Sequence, residues 1–218
     1  MLTGLEAGPL YRDREEAAAS LASSLAEYRG RHPVVFGIPR GGVPVAAEIA
    51  RRLAGELDVV VARKLGAPFS EELAIGAVTA DGGRFLNQDI IRELGIDPDY
   101  IERVTKTKLE EARARERTFR QGRPPTDLRD RVAIVVDDGL ATGATMRAAV
   151  RAIRARQPAK LVVAVPVGAR EACAALRKET DAVVCPSEPE PFGAVGVYYR
   201  HFEPVPDRRV QEILAGEG

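Results

Sequence analysis

Short apolar segments of strand length alternate with amphipathic stretches of helix length over most of the chain. These segments are rich in β-branched residues, and they span 33–38, 57–62, 132–136, 160–165 and 181–185. Continuous apolar runs of this length are typical of strands that are buried on both faces of a parallel sheet. The pattern therefore predicts an α/β fold, a doubly wound and mainly parallel sheet with helices on both faces.

The residues before the first strand predict a helix. Asp13–Glu16 resembles a capping box, and the apolar positions that follow recur at spacings of four and three. This apolar stripe runs from Ala17 to Tyr28, and Gly30 is expected to end the helix.

Residues 69–125 interrupt the alternation. Phe69–Leu73 is polar and predicts a loop, whereas Leu73–Thr79 predicts a strand. Asp81–Gly83 is a hairpin turn signal, after which Arg84–Leu86 is expected to pair back antiparallel.

Two helices are predicted in the rest of this region. Asn87 caps a short helix that Gly95 ends, and Asp97–Pro98 begins a long helix that runs to about Gln121. Charged side chains dominate the long helix, which is typical of a solvated helix. Two Glu–Arg pairs at i,i+4 spacing predict ion pairs along it, and they are Glu111–Arg115 and Glu116–Arg120.

The 218 residues fit one α/β domain with a large appendage. We expect a core at about 33–68 and 126–185, a helical insertion at 69–125, and a small hood made from the terminal segments 1–30 and 186–218. Lys and Arg number 32, as do Asp and Glu, so a formal net charge of +0 gives no overall attraction to nucleic acid or a membrane.

Candidate chemistry is concentrated where the strand Val132–Val136 ends. Two carboxylates, Asp137 and Asp138, follow it and lead into a loop of small and hydroxylated residues. A helix is predicted from Met146, so the loop presents backbone N–H groups and the positive end of a helix dipole to an anion. The carboxylates suit the two hydroxyl donors of a sugar diol. Together these features predict a site for a ribose 5-phosphate.

Val135–Thr145 resembles the signature that binds phosphoribosyl pyrophosphate (PRPP) in the type I phosphoribosyltransferases, namely two apolar residues, two acids and a Thr-Gly-x-Thr loop. The resemblance implies that the acids hold the ribose and that the loop anchors the 5-phosphate. The residues implied to bind PRPP here are Asp137, Asp138, Gly139, Ala141, Thr142, Gly143, Ala144 and Thr145. The resemblance also implies Mg²⁺, which PRPP itself mostly holds, so no protein residue is assigned to the metal.

A second strand–loop–helix unit contains Gly37–Val43, whose loop is rich in glycine and carries one cation, Arg40. A tight connection with a solvated arginine would also explain this loop. In the type I family the loop after the first core strand binds the pyrophosphate of PRPP, which implies that role for Arg40, Gly41 and Gly42. The family often has an unusual, sometimes cis, peptide bond there, and we expect one near Arg40.

Two cations, Arg63 and Lys64, follow the predicted strand at 57–62. Parallel sheets bind ligands at the carboxyl ends of their strands, where two cations suit a diphosphate. Lys64 resembles the basic residue that the family places near the pyrophosphate, although two ordinary surface cations would also explain this pattern. The resemblance thus implies a catalytic set of Asp137, Asp138, Arg40 and Lys64.

The tail after Pro186 holds four of the chain's eleven Phe and Tyr residues. Phe192–Tyr199 resembles the hood of purine-salvage members of the family, where a Phe before a Val-Gly stretch stacks on the base. The implied acceptor-binding residues are Phe192, Val197 and Tyr198. Those enzymes have an acid after this stretch, whereas this chain has tyrosines, so the acceptor stays open. The aromatic residues also fit a small hood core.

The resemblance implies an enzyme of nucleotide salvage that moves ribose 5-phosphate from PRPP to a nitrogen acceptor, above all a nucleobase, with release of pyrophosphate. A mobile lid is implied as well, formed either by the long helix or by the 64–83 segment. We expect a cytoplasmic homodimer whose partners are PRPP and a small-molecule acceptor, without a membrane or nucleic acid. The alternative is a regulatory protein on the same fold that senses PRPP or nucleotide, or binds RNA.

Overall fold

The computed structural model describes residues 8–216, apart from the side chain of Glu72. In chain order its elements are α1 (Arg14–Ser24), β1 (Val34–Gly37), α2 (Gly42–Leu53), β2 (Glu56–Val59), β3 (Ala62–Ala67), β4 (Ser70–Thr79), β5 (Arg84–Leu86), α3 (Gln88–Glu93), α4 (Pro98–Arg120), β6 (Val132–Val136), α5 (Ala144–Ala155), β7 (Lys160–Ala164), α6 (Arg170–Leu176), β8 (Ala182–Val184) and α7 (Asp207–Ala215).

The core is a five-stranded sheet in which every pair of neighbouring strands is parallel, in the order β2-β1-β6-β7-β8. The predicted doubly wound α/β class is confirmed. Because β6 is central and β1 lies beside it, the carboxyl ends of these two strands meet at one edge. The two loops that the sequence singled out are therefore neighbours.

Helices cover both faces of this sheet. Ala133 and Val135 of β6 pack with α5 and α6 on one face, while Ile134 and Val136 pack with α1 and α2 on the other. A strand's side chains alternate between the two faces of a sheet, so burial of both faces explains why the run at 132–136 is uniformly apolar.

The prediction of one strand at 57–62 is wrong. The parallel strand β2 ends at Val59, and the chain then enters β3, which belongs to a separate antiparallel sheet with the order β3-β4-β5. Residues 59–62 are continuously apolar, so no polar residue marks the change of sheet. Lys64 is consequently in the middle of β3 rather than just beyond a parallel strand.

The loop predicted at Phe69–Leu73 is also wrong, since β4 begins at Ser70. The strand pairs with β3 through two register irregularities, between Leu65 and Gly66 and between Gly66 and Ala67. A Cβ at Gly66 would lie 2.7 Å from the Cα of Glu71, so only glycine lets the strands approach this closely. The start of β4 is polar because this end of the hairpin is partly open to solvent.

Helix α1 begins as predicted, with the Asp13 side chain accepting a hydrogen bond from the Glu16 N–H at 2.9 Å. It ends earlier than predicted, at Ser24, and a 3₁₀ turn at Ala26–Tyr28 follows before Gly30. The apolar stripe continues across that break because the turn still buries Tyr28 against the core.

The long helix α4 is confirmed, with Asp97 as its N-cap and Pro98 as its first residue. The predicted pair Glu116–Arg120 forms at 3.1 Å. The predicted pair Glu111–Arg115 does not form, because Arg115 instead contacts Asp207 at the start of α7, a helix that the tail's composition did not predict. In addition to its helices the insertion contains β4 and β5, which form a three-stranded sheet with β3, the strand that precedes it.

The two terminal segments meet over the core. Tyr11 pairs with Tyr199 in an isolated bridge, and the N–H groups of Arg200 and His201 donate to the carbonyls of Tyr11 and Arg12 at 2.9 and 2.8 Å. Residues 1–7 and 217–218 of the predicted hood lie outside the described residues. Within residues 8–216, the helices are all too short or too polar to cross a membrane.

A buried ion pair fastens the insertion to the core sheet. Arg120 of α4 donates to Asp58 of β2 at 2.7 Å and to the Val59 carbonyl at 3.1 Å. The other Asp58 oxygen accepts from the Thr126 N–H at 3.1 Å, just beyond the insertion. Asp58, which precedes the insertion, therefore binds the end of the segment where the chain re-enters the core.

We expect Asp58→Asn to lower the free energy of unfolding by about 3 kcal/mol, because the buried guanidinium of Arg120 loses its buried counter-charge and keeps only the more exposed Glu116. Urea unfolding measures this value. Asp127→Asn is the matched control, since Asp127 pairs with Arg129 on the exposed surface and should cost less than about 1 kcal/mol. Equal losses in the two variants would contradict the anchoring role of Asp58.

Candidate active site

Asp137 and Asp138 lie side by side at the carboxyl end of β6. The Asp138 N–H donates to the Asp137 carboxylate at 2.9 Å. Burial raises the pKa of Asp137 well above its usual value, and the charge of Asp138 raises it further. Burial also raises the pKa of Asp138, against the opposing effect of Arg14. Asp137 is therefore the member of the pair that more readily keeps a proton.

The loop after the acids leads into the N-terminus of α5. The chain passes Gly143 at φ +76°, a left-handed conformation that glycine adopts without strain, and the helix begins at Ala144. Ala141 and Thr142 are exposed. The first N–H groups of a helix have no acceptor inside it, so this end of α5 can bind an anion.

Two backbone hydrogen bonds fix the same loop at Leu140. The Leu140 N–H donates to the Val167 carbonyl at 3.0 Å, and the Ala169 N–H donates to the Leu140 carbonyl at 2.7 Å. The loop borders a cavity of about 210 Å³ that is lined by Lys64, residues 137–146 and Val195. The structure thus places predicted site residues from two different sheets around one cavity.

The glycine-rich loop between β1 and α2 lies directly against the acids. A Cβ at Gly41 would collide with the Asp138 carboxylate, and one at Gly42 would lie 2.6 Å from the Val136 carbonyl and 2.9 Å from the Asp137 Cα. These glycines are needed because any side chain would push the two loops apart. The peptide bond between Pro39 and Arg40 is cis, as expected near Arg40.

The cations of the predicted set do not all face the acids. Lys64 borders the cavity at the acids, whereas its neighbour Arg63 faces α4, where its Nε lies 3.6 Å from Glu111. Adjacent residues of a strand point to opposite faces, which separates them. The Arg40 side chain also reaches toward α7, with Nη1 3.7 Å from Asp207, so what Arg40 brings to the acids is its backbone.

Arg14 is a site residue that the sequence reasoning missed. Its Nε donates to the Asp138 carboxylate at 2.9 Å, and both side chains are only 14% exposed. Its Nη1 donates to the Glu203 carbonyl at 2.9 Å, and its guanidinium lies 3.9 Å from the centre of the Phe202 ring. Arg14 was considered only as part of a helix cap, and no local pattern relates it to an acid 124 positions away.

Two hood residues that contact the site were also missed. The Tyr199 hydroxyl donates to the Asp138 carbonyl at 2.5 Å, and its ring stacks on Phe202 with centroids 4.9 Å apart. Val195 lies so close to Gly139 that a Cβ there would collide with it. The cluster of aromatic residues was the signal in the sequence, although it did not indicate which ring faces the acids.

The predicted acceptor-binding residues form a separate group in the hood. The rings of Phe192 and Tyr198 lie 5.1 Å apart, and the Tyr198 hydroxyl accepts from the Gly193 N–H at 2.9 Å. Val197 is 60% exposed. Phe192 and Tyr198 thus pack on each other, and the short turn that carries them reaches the acids through Val195.

The two cysteines lie together under the loop at Gly168, where a Cβ would be 2.8 Å from the Cys173 Sγ and 3.2 Å from the Cys185 Sγ. The Cys173 thiol is buried, whereas Cys185 is partly buried. Their sulfurs and a Glu188 carboxylate oxygen lie within 4.8 Å of one another. Glu188 is paired with Arg177, so its charge is already balanced.

The family model of the phosphoribosyl transferase domain matches residues 7–201. Two curated proteins of Mycobacterium tuberculosis, from strains CDC 1551 and H37Rv, are provisionally named phosphoribosyl transferases. Each is 45% identical to the chain over 205 residues, which is 94% of this chain and 46% of the relative. The chain thus spans about half the length of the curated relatives it matches.

Solved structures extend the comparison. The protein TT1426 from Thermus thermophilus has a TM-score of 0.80 and 44% identity, and the match covers 94% of this chain and 98% of that one. A hypoxanthine phosphoribosyltransferase from Staphylococcus aureus has a TM-score of 0.50 and 14% identity, covering 91% of this chain and 86% of the other. At that identity the second likeness shows the fold alone.

The raised pKa of Asp137 predicts a stability that depends on pH. Between the ordinary pKa of an aspartate and the raised one, the native state holds a proton that the unfolded chain has lost. Stability should therefore fall as pH rises through this window, by up to about 1.4 kcal/mol per pH unit. Asp137→Asn has no such proton, so it should gain stability relative to the parent chain as pH increases.

Urea unfolding from pH 4 to pH 8 measures this difference. Asp81→Asn serves as the control because Asp81 is exposed in the turn before β5, and its effect should be small and nearly independent of pH. A constant difference between Asp137→Asn and the parent chain at all pH values would contradict the burial of this carboxyl.

We expect Arg14→Gln to lower the free energy of unfolding by about 3 kcal/mol at neutral pH, since Asp138 would lose its cation. Arg12→Gln, on the exposed pair with Asp13, should cost less than about 1 kcal/mol. Adding Asp138→Asn to Arg14→Gln should restore part of the loss, which a double-mutant cycle in urea measures. Strictly additive losses would show that the pair does not interact.

Proposed function

The chain belongs to the phosphoribosyltransferase family, and we propose that it transfers ribose 5-phosphate from PRPP to a nitrogen acceptor with release of pyrophosphate. The observation that carries this proposal is the single cavity in which a buried pair of acids meets the N-terminus of α5. The acids suit a diol and the helix end suits a phosphate, and a phosphorylated ribose has both.

The two acids would hold the ribose in different ways. Arg14 favours the charged form of Asp138 against the effect of burial, so Asp138 is the acid better suited to accept hydrogen bonds from sugar hydroxyls. Asp137, whose pKa is raised, can carry a proton and also donate one bond. Reaction at the sugar builds positive charge on the ring, which a fixed carboxylate beside it would stabilise.

The 5-phosphate would lie at residues 141–145. The exposed residues Ala141 and Thr142 leave the loop accessible, and the hydroxyls of Thr142 and Thr145 add donors to the free N–H groups of the helix. Burial of Leu140 between Val167 and Ala169 fixes the loop before a ligand arrives, so little ordering remains to oppose binding.

The pyrophosphate would lie between the backbone of residues 40–42 and the side chain of Lys64. Gly41 and Gly42 let that backbone approach the acids closely, and Lys64 borders the cavity from the antiparallel sheet. A cation and oriented N–H groups beside the leaving group stabilise its growing negative charge.

Mg²⁺ fits this arrangement as a companion of the substrate. Magnesium typically binds one or two carboxylates together with substrate phosphates. Here Asp137 and Asp138 are the carboxylates that lie in the cavity, and Asp138 is already paired with Arg14. The metal, when bound, would offset charge on the pyrophosphate, and Asp137 would bind it only after losing the proton that burial favours.

The hood would supply the acceptor site through Phe192, Val197 and Tyr198. Phe192 and Tyr198 are half-exposed aromatic rings that could stack on a planar nucleobase, and Val195 and Tyr199 connect this group to the acids. We place the lid at the tip of the β3–β4 hairpin, where Phe69 is 66% exposed, because α4 is fastened to the core by Arg120.

Calorimetry with PRPP and Mg²⁺ tests the donor half of this proposal. We expect measurable binding that requires the metal, and an assay of pyrophosphate release over a panel of nucleobases should identify the acceptor. The double variant Asp137→Asn with Asp138→Asn should lose at least about a hundredfold in kcat/KM, because both carboxyl hydrogen-bond partners of the ribose are replaced by amides.

The matched control changes the same charge at two exposed positions, Asp127→Asn with Asp130→Asn, and should keep full activity. An absence of heat at millimolar PRPP would overturn the proposal. Binding of PRPP without pyrophosphate release for any acceptor would instead favour a sensing protein on the same fold.

A further inference from the structure

Three arginines from distant parts of the chain converge on the side of β3 that faces away from the acids. Arg40, Arg63 and Arg115 line a cavity of about 330 Å³ together with Pro39, Val61 and Ala62. The cavity is bounded by the loop after β1, the start of β3 and the middle of α4. It shares no lining residue with the cavity at the acids.

Charge around this cavity is unbalanced. Asp207 of α7 contacts both Arg115 and Arg40, and Glu111 contacts both Arg63 and Lys108, so two carboxylates are shared among four cations. Burial lowers the pKa of Arg115, and the charges of Arg63 and Arg40 lower it further against the effect of Asp207. An additional anion would relieve the repulsion among these guanidinium groups.

One donor in the cavity wall has no acceptor. The Nε of Arg63 is buried and makes no hydrogen bond with any described residue, since the nearest carboxylate, Glu111, is 3.6 Å away. A buried N–H without a partner is uncommon in folded proteins, and it is explained readily by a ligand that accepts its hydrogen bond.

We propose that Arg40, Arg63 and Arg115 form a second anion-binding site, which takes a phosphate-class dianion and which the carboxylate of Asp207 occupies when no ligand is bound. Guanidinium groups match the oxygens of a phosphate with paired hydrogen bonds. A dianion also carries more charge than one carboxylate. The Asp207 side chain is about half exposed, and its contact with Arg40 is long, at 3.7 Å.

Binding at this site would act on the neighbouring loop. Gly41 and Gly42, which lie next to the acids, are in the same loop as Arg40, so a ligand that draws the Arg40 side chain toward α4 would also restrain that backbone. The release of Asp207 would in turn loosen the start of α7 from α4. Anion binding at this site would therefore affect both the loop after β1 and the helix α7.

Calorimetric titration of the full chain with inorganic phosphate tests the proposal. Arg115→Gln should weaken one class of binding event about tenfold or more, because it removes a charged donor. Arg63→Gln should do the same, and Asp207→Asn should tighten it several-fold because the internal competitor is gone. Arg117→Gln is the matched control, since it removes the same charge from the exposed face of α4.

Phenyl phosphate is titrated in parallel to identify the source of the ligand. Tighter binding than that of inorganic phosphate would indicate a phosphate monoester, and weaker binding would indicate free phosphate. Phosphate that binds at residues 141–145 can be distinguished from phosphate at this site, because Arg115→Gln should not change the affinity of that loop. Should Arg115→Gln fail to fold, Arg63→Gln and Asp207→Asn still decide the outcome.

Two results would overturn the proposal. One is unchanged phosphate binding in Arg115→Gln and Arg63→Gln, and the other is an equal loss in Arg117→Gln, which would indicate a general effect of charge. A failure to tighten in Asp207→Asn would overturn the competition by Asp207. These outcomes do not depend on PRPP turnover, so they can be distinguished from a failure of the proposed function.

Discussion

The burial of two adjacent carboxylates at the end of β6 is the constraint on which the surrounding structure depends. Desolvation and mutual repulsion oppose the charged state of such a pair, so one acid needs a cation or a proton. Arg14 supplies the cation to Asp138, which ties α1 to the sheet, and Phe202 and the Glu203 carbonyl hold Arg14 in place. The hood is therefore required for the charge state of the acids and is more than a cover.

The same constraint explains the glycines beside the acids. The loop after β1 reaches Asp137 and Asp138 only because Gly41 and Gly42 have no Cβ. The hood approaches from the other side through Val195, which contacts Gly139. Three segments that are far apart in sequence thus meet at the acids, and glycine in two of them is what lets them approach closely.

Most of the fold could be predicted because burial on both faces gives the core strands a continuous apolar pattern, as in β6. The acids, the glycine-rich loop and the start of α5 were found for a similar reason, since each is a local pattern of adjacent residues. Arg14 and Asp207 could not be found this way, because their partners are distant in sequence and their own surroundings resemble ordinary helix starts. The boundary between β2 and β3 was missed because residues 59–62, where the chain passes from one sheet to the other, are continuously apolar.

The strand β3 contributes side chains to both cavities. Its alternation turns Lys64 toward the acids and Arg63 toward α4, so one strand supplies a cation to each of two cavities. The β1–α2 loop forms the boundary between them, with its backbone at the acids and its Arg40 side chain in the second cavity. An anion on one side would therefore change the charge balance of the loop that borders the other cavity, so the two proposed sites are expected to be coupled through this shared wall.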